Sequence, residues 1–164
     1  MYNPICITEK RSDHVNFLTN VLLGKAGKIT NAIGYIDTGN QLRCTITGRC
    51  VSITTYKVAA SLADPNMLRL IDAYIKSPTS IYDIADYAHF GMHLIPYNTI
   101  CSTNNLMLAM DIDYMFIDDT YVESNPLIGI CRNQINILHT DKCILLNKKY
   151  MKRGKRYAKH NKRQ

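Results

Sequence analysis

Apolar and polar positions alternate over short stretches through most of this chain, and only one stretch repeats at helical spacing, so strands dominate the expected structure. Two β-prone runs, VNFLTNVLL (15–23) and ITNAIGYI (29–36), flank GKAGK and predict a hairpin. A second pair, QLRCTI (41–46) and RCVSITTY (49–56), is separated by Thr47 and Gly48, with Val51, Ile53 and Thr55 in alternating positions. The pattern then changes: Asp64 and Pro65 make a helix start, and Met67, Leu68, Ile71, Tyr74 and Ile75 recur at helical spacing until SPTS (77–80) ends them. After IYDIADYAHFG (81–91), the segment HLIPYNTICSTNNLMLAMDIDYMFID (93–118) reads as strands flanking a polar STNN turn. The apolar runs in NPLIGICRNQINIL (125–138) and KCILL (142–146) close the series.

The 164 residues suffice for one domain with a sizeable core, and 46% hydrophobic content places the chain among globular proteins. No apolar run reaches the roughly 18 residues of a membrane span, and MYNPICITEKRSDH lacks the apolar stretch of a secretory signal, so a soluble chain is expected. Cys6, Cys44, Cys50, Cys101, Cys131 and Cys143 include no C-x-x-C pair, which fits a reduced, cytoplasmic setting. Cys44 and Cys50 could face each other across a hairpin, but small buried hydrophobes are the favoured reading, and neither a metal nor a cofactor is assigned.

The net charge of +7 is unevenly spread, because KKYMKRGKRYAKHNKRQ (148–164) holds nine Lys or Arg and no acid. Residues 1–147 keep eleven basic against thirteen acidic groups. The division expected is a lead-in over 1–13, a domain over 14–147 and a basic, disordered tail over 148–164. Such a tail is usually a solvated block, and it also suits nucleic acid, an anionic membrane surface or an acidic partner.

Residues 34–40 read GYIDTGN. Asp, Gly and Asn are turn residues, so DTG by itself is a structural turn more often than a catalytic motif. Its setting changes the balance. An apolar strand runs into DTG, a hairpin with Tyr97 on its first arm follows, and Leu127-Ile128-Gly129 comes near the end. In this order the three resemble an aspartic peptidase of the retroviral type, and within that group the peptidase domain of the family that processes the sporulation sigma-E factor. DTGNQL, Thr47-Gly48 before Val51, and Ile95-Pro96-Tyr97 carry the likeness, which runs from about Val15 to Leu146.

The resemblance implies a mainly β, retropepsin-like closed barrel with a helical insertion. It also implies an aspartic endopeptidase acting on a protein substrate, the precursor of a sporulation sigma factor, in the cytoplasm or at the cytoplasmic face of a membrane. The chemistry needs two carboxylates sharing one proton, because like charges so close cannot both ionise. One DTG is present, and Asp111, Asp113, Asp118 and Asp119 lack a following Thr-Gly, so a complete pair requires Asp37 from two chains and a site on a homodimer axis. Thr38 would bond the partner's backbone, Gly39 would bring its amide to the Asp37 carboxylate, and Gly129 would lie behind the aspartates. Tyr97 would sit on the flap, whose tip TICSTNNLM lacks the glycines usual there. A second reading is the same fold as a non-catalytic module that binds a protein partner, or nucleic acid or lipid through its tail.

Overall fold

The computed structural model describes residues 17–79, 87–122, 125–135 and 139–151. The first hairpin forms as expected: β1 (Leu18–Lys25) and β2 (Lys28–Ile36) pair antiparallel from Leu18↔Tyr35 to Lys25↔Lys28. Its turn places Ala26 at φ 48° and Gly27 at φ 79°, the left-handed pair that matches the twist of a two-residue hairpin. Alanine is unusual there, and the Asp113 carboxylate accepts its N–H at 2.7 Å.

The second pair is shorter than its pattern suggests. Arg43 and Cys50 make one antiparallel bridge, and β3 (Val51–Thr54) stops where α1 (Tyr56–Leu62) begins. The alternation through Tyr56 concealed this helix, whose N-cap residue, Thr55, lends its hydroxyl to the Asp141 carbonyl instead of capping with its side chain. The expected helix is α2 (Pro65–Lys76), with the Asp64 carboxylate accepting the Asn66 and Met67 amides and Pro65 in the first turn. Tyr87–Phe90 form a 3-10 turn. Next come β4 (Met92–Thr99), β5 (Ser102–Asp111), β6 (Tyr114–Ile117), β7 (Thr120–Tyr121), β8 (Leu127–Ile130) and β9 (Cys143–Leu146). A final 3-10 turn spans Lys148–Tyr150.

The expected closed barrel is not what the pairing shows. The described strands form one mixed, open sheet ordered β4-β5-β8-β3-β9-β2-β1-β6-β7. Its edges suit their positions: β4 carries Pro96, which lacks a ladder donor, and β7 is two residues long. Two parallel pairings, β2 with β9 and β3 with β8, bring early and late segments of the chain together at the centre of the sheet.

The sheet has a core on each face. Val58, Leu62, Met67, Ile71 and Tyr74 from the helices pack with Leu108, Met110, Ile128, Ile130, Ile144 and Leu146. Alternate residues of the same strands, Met107, Ala109 and Leu127, turn to a smaller cluster with Cys44, Val51 and Ile95. Buried on both sides, β8 reads as a continuous apolar run. Tyr150 also belongs to the larger core at 2% exposure, so the start of the basic block is built into the domain; 152–164 and the 1–13 lead-in lie outside the described residues. Among the described residues no helix is long and apolar enough to cross a membrane.

Candidate active site

Asp37 follows β2 directly, and its N–H donates to the Leu146 carbonyl at 3.2 Å, extending the parallel ladder by one residue. The chain turns there: the Asn40 N–H returns to the Asp37 carbonyl at 3.1 Å, and the Gly39 N–H donates to the Asp37 carboxylate at 2.9 Å. A Cβ on Gly39 would stand 3.3 Å from that carboxylate oxygen, so glycine lets the amide approach without crowding the acid. Asp37 is half-buried, while Thr38 and Gly39 are exposed.

Asn40, the residue after DTG, holds this loop in place. Its side-chain amide donates to the Val51 carbonyl at 3.1 Å and the Leu145 carbonyl at 3.4 Å, and its oxygen accepts the Leu42 N–H at 3.1 Å. Asn147 mirrors it from the other chain end, donating to the Leu42 carbonyl at 2.9 Å and the Val51 carbonyl at 3.3 Å. The backbone closes the arrangement, because the Lys148 N–H donates to the Asn40 carbonyl at 2.7 Å. Both asparagines are buried, where unsatisfied amides would be costly, so their bonds set the loop between β3 and β9. Asn40 stands within the DTGN motif, but its role as a brace was not foreseen. Asn147 follows an apolar run and carried no signal, since its partners lie about a hundred residues earlier.

Gly129 and Tyr97 meet the segment after Asp37 in the smaller core. The atoms nearest a Cβ at Gly129 are Met107 Sδ at 2.3 Å and Val51 Cγ1 at 3.0 Å, so β8 accepts no side chain at that point. Its neighbours are thus side chains of β3 and β5. Tyr97, opposite Asn105 in the β4–β5 hairpin, packs on the same cluster, as does Leu42.

The hairpin turns one step earlier than the sequence pattern indicates, at Ile100 and Cys101, while STNN opens β5. Asn104 takes φ 59° beside an irregular register between Tyr97 and Thr99, and its N–H donates to the Asn98 side chain at 3.1 Å. Residues 98–104 are exposed, and Ile100 stands free at the tip.

Three of the other acids have partners of their own. Asp111 joins Arg49 at 2.5 Å and His93 at 3.1 Å, Asp113 holds the Ala26 amide, and Asp118 accepts the Asn20 N–H at 2.8 Å. Among the described residues no second carboxyl group is hydrogen-bonded to Asp37. Cys44 and Cys50 are buried free thiols, in keeping with the hydrophobic reading. A cavity of about 370 Å³ lies at the opposite end of β3 and β9, between Thr55, Lys57, Ile75, Cys131, Arg132 and Asp141, away from Asp37.

A family model described as sporulation factor SpoIIGA, Peptidase_U4, matches residues 4–149. No curated protein and no solved structure matches the chain.

Proposed function

We propose, from the premise that this chain belongs to the sporulation factor SpoIIGA family of peptidases, that it is an aspartic endopeptidase completed by a second copy of itself. The observation that carries the reading is the Asp37 loop: one carboxylate, oriented by the Gly39 amide and braced by Asn40, with no second acid bonded to it in the same described chain. Two such loops facing across a two-fold axis supply the pair the chemistry needs.

A water between the two Asp37 carboxylates is activated by the ionised one and attacks the peptide carbonyl. The protonated one donates to that oxygen, giving a tetrahedral diol with no covalent intermediate. Thr38, exposed beside Asp37, bonds the partner copy's loop; the β4–β5 hairpin closes over the peptide, with Tyr97 a few residues before its turn. The substrate is the precursor of a sporulation sigma factor, and the basic chain end tethers the enzyme to an anionic membrane surface on the cytoplasmic side.

The test mixes wild-type chain with Asp37→Asn chain at fixed total protein well above the dimer dissociation constant, using a candidate sigma-factor precursor as substrate. Asp37→Asn alone folds and does not cleave. In mixtures, activity follows the square of the wild-type fraction, because a heterodimer has one carboxylate where two are required. A linear decline would sink the shared site, and turnover by Asp37→Asn would remove Asp37 from the mechanism.

A further inference from the structure

We propose that the groove beside the Asp37 loop is a substrate subsite for acidic side chains, an assignment that rests on the peptidase reading and adds a substrate preference to it. The groove encloses about 360 Å³ and is lined by Gln41, Arg43, Asn147, Lys148 and Lys149. Three of these carry positive charge and none carries negative. The ion pairs among the described residues, Arg49–Asp111, Lys57–Asp141 and His93–Asp111, take in none of the three.

Three neighbouring cations repel one another, and the cost is relieved when an anion enters. They are also set in place by the backbone that positions the acid. Gln41 and Arg43 continue the loop that begins at Asp37, and Arg43 is fixed by its bridge to Cys50. One guanidinium nitrogen of Arg43 donates to the Gly48 carbonyl at 2.9 Å, which leaves further donors for a carboxylate. Lys148 is held through its N–H to the Asn40 carbonyl, and Lys149 through its N–H to the Asn147 side chain at 3.1 Å. The charged residues are exposed, and their backbones are held in place. A peptide bound at Asp37 therefore passes a cationic wall whose position is set by the bonds that set the acid. The match is to Asp or Glu near the scissile bond.

The experiment uses the full chain carrying Asp37→Asn, which binds without cutting, and two labelled decapeptides identical except that one has two Glu where the other has two Gln. By fluorescence anisotropy at about 50 mM salt, the Glu peptide binds about tenfold more tightly. The difference closes near 0.5 M salt as screening shortens the reach of the charges. Arg43→Gln with Lys148→Gln removes the preference, and Arg43→Glu with Lys148→Glu turns it toward a Lys-bearing peptide, with circular dichroism checking that both variants fold.

Equal affinity for the Glu and Gln peptides overturns the proposal, as does a Glu preference that survives in the double Gln variant. Displacement of the Glu peptide by far lower concentrations of a single-stranded oligonucleotide overturns it in favour of nucleic acid. Because the readout is binding, the two readings part cleanly: Glu-selective binding beside a wild-type chain that cleaves nothing supports the groove and sinks the peptidase.

Discussion

Asp37 and Asn40 divide the work of one loop, the first presenting a carboxylate and the second fixing where the backbone lies. Gly129 contributes by having no side chain. A Cβ there would come within 2.3 Å of Met107 Sδ and 3.0 Å of Val51 Cγ1, and Met107 is only 5% exposed, so it has little room to give. Gly129→Ala is expected to lower stability by about 1–3 kcal/mol through overpacking, measured as the shift of a urea unfolding midpoint at unchanged slope. An unchanged midpoint would mean that Met107 swings aside freely and that the glycine serves another purpose.

The helix α2 is anchored through Tyr74, which is buried against the sheet and donates its hydroxyl to the Leu106 carbonyl of β5 at 3.4 Å. Burial pushes its pKa up from 10 to about 12. A raised folded-state value means that the neutral phenol is the form the fold favours. Its contribution is whole below about pH 10 and is lost as pH rises through about 12. The amount at stake is about 2–3 kcal/mol. Tyr74→Phe should therefore cost about 1 kcal/mol near neutrality, from the long hydrogen bond, and flatten the stability loss between those two pH values in denaturant titrations. A wild-type and a variant that fall in parallel there would place the alkaline transition elsewhere.

The β4–β5 hairpin invites a local test of the same kind. Asn104 adopts φ 59°, a conformation in which a Cβ costs about 1 kcal/mol unless the side chain compensates. Asn104→Gly should be neutral or slightly stabilising, whereas Asn104→Ala should lose about 1 kcal/mol. Equal effects of the two in thermal unfolding would show that the register irregularity, not the dihedral angle, sets the local stability.

Across the whole molecule, the sheet unites segments far apart in sequence, and at its centre the late strand β9 lies beside the early strand β2. Residues β9 through Tyr150 complete the larger core and brace the Asp37 loop, so the basic block does not begin as a free tail. Ending the chain after Met151 should leave stability within about 0.5 kcal/mol, because KRGKRYAKHNKRQ offers few apolar residues to bury and repels itself. Ending it after Leu146 should cost about 3 kcal/mol or more, since Tyr150 leaves a buried site and Asn147 abandons its bonds to Leu42 and Val51. Equal thermal midpoints for the two truncations would contradict the core assignment of Tyr150.

Local chemistry was legible from the residues alone. The GKAGK turn and the Asp64–Pro65 helix start depend on neighbours a few positions away and formed where they were expected, and β4 and β5 formed as strands with their turn moved from STNN to Ile100 and Cys101. DTGN marked the loop, and the order of its companions marked the family. Three things depended on distance. The helix α1 lies under a strand-like pattern because its Thr55 bonds across to Asp141 rather than capping locally. The open sheet follows from parallel pairings of β2 with β9 and β3 with β8, whose partners are set by packing between segments that periodicity cannot relate. Asn147 becomes a support for Asp37 only when β9 lies beside β2, because a hydrogen bond is decided by position in space, and composition places nothing.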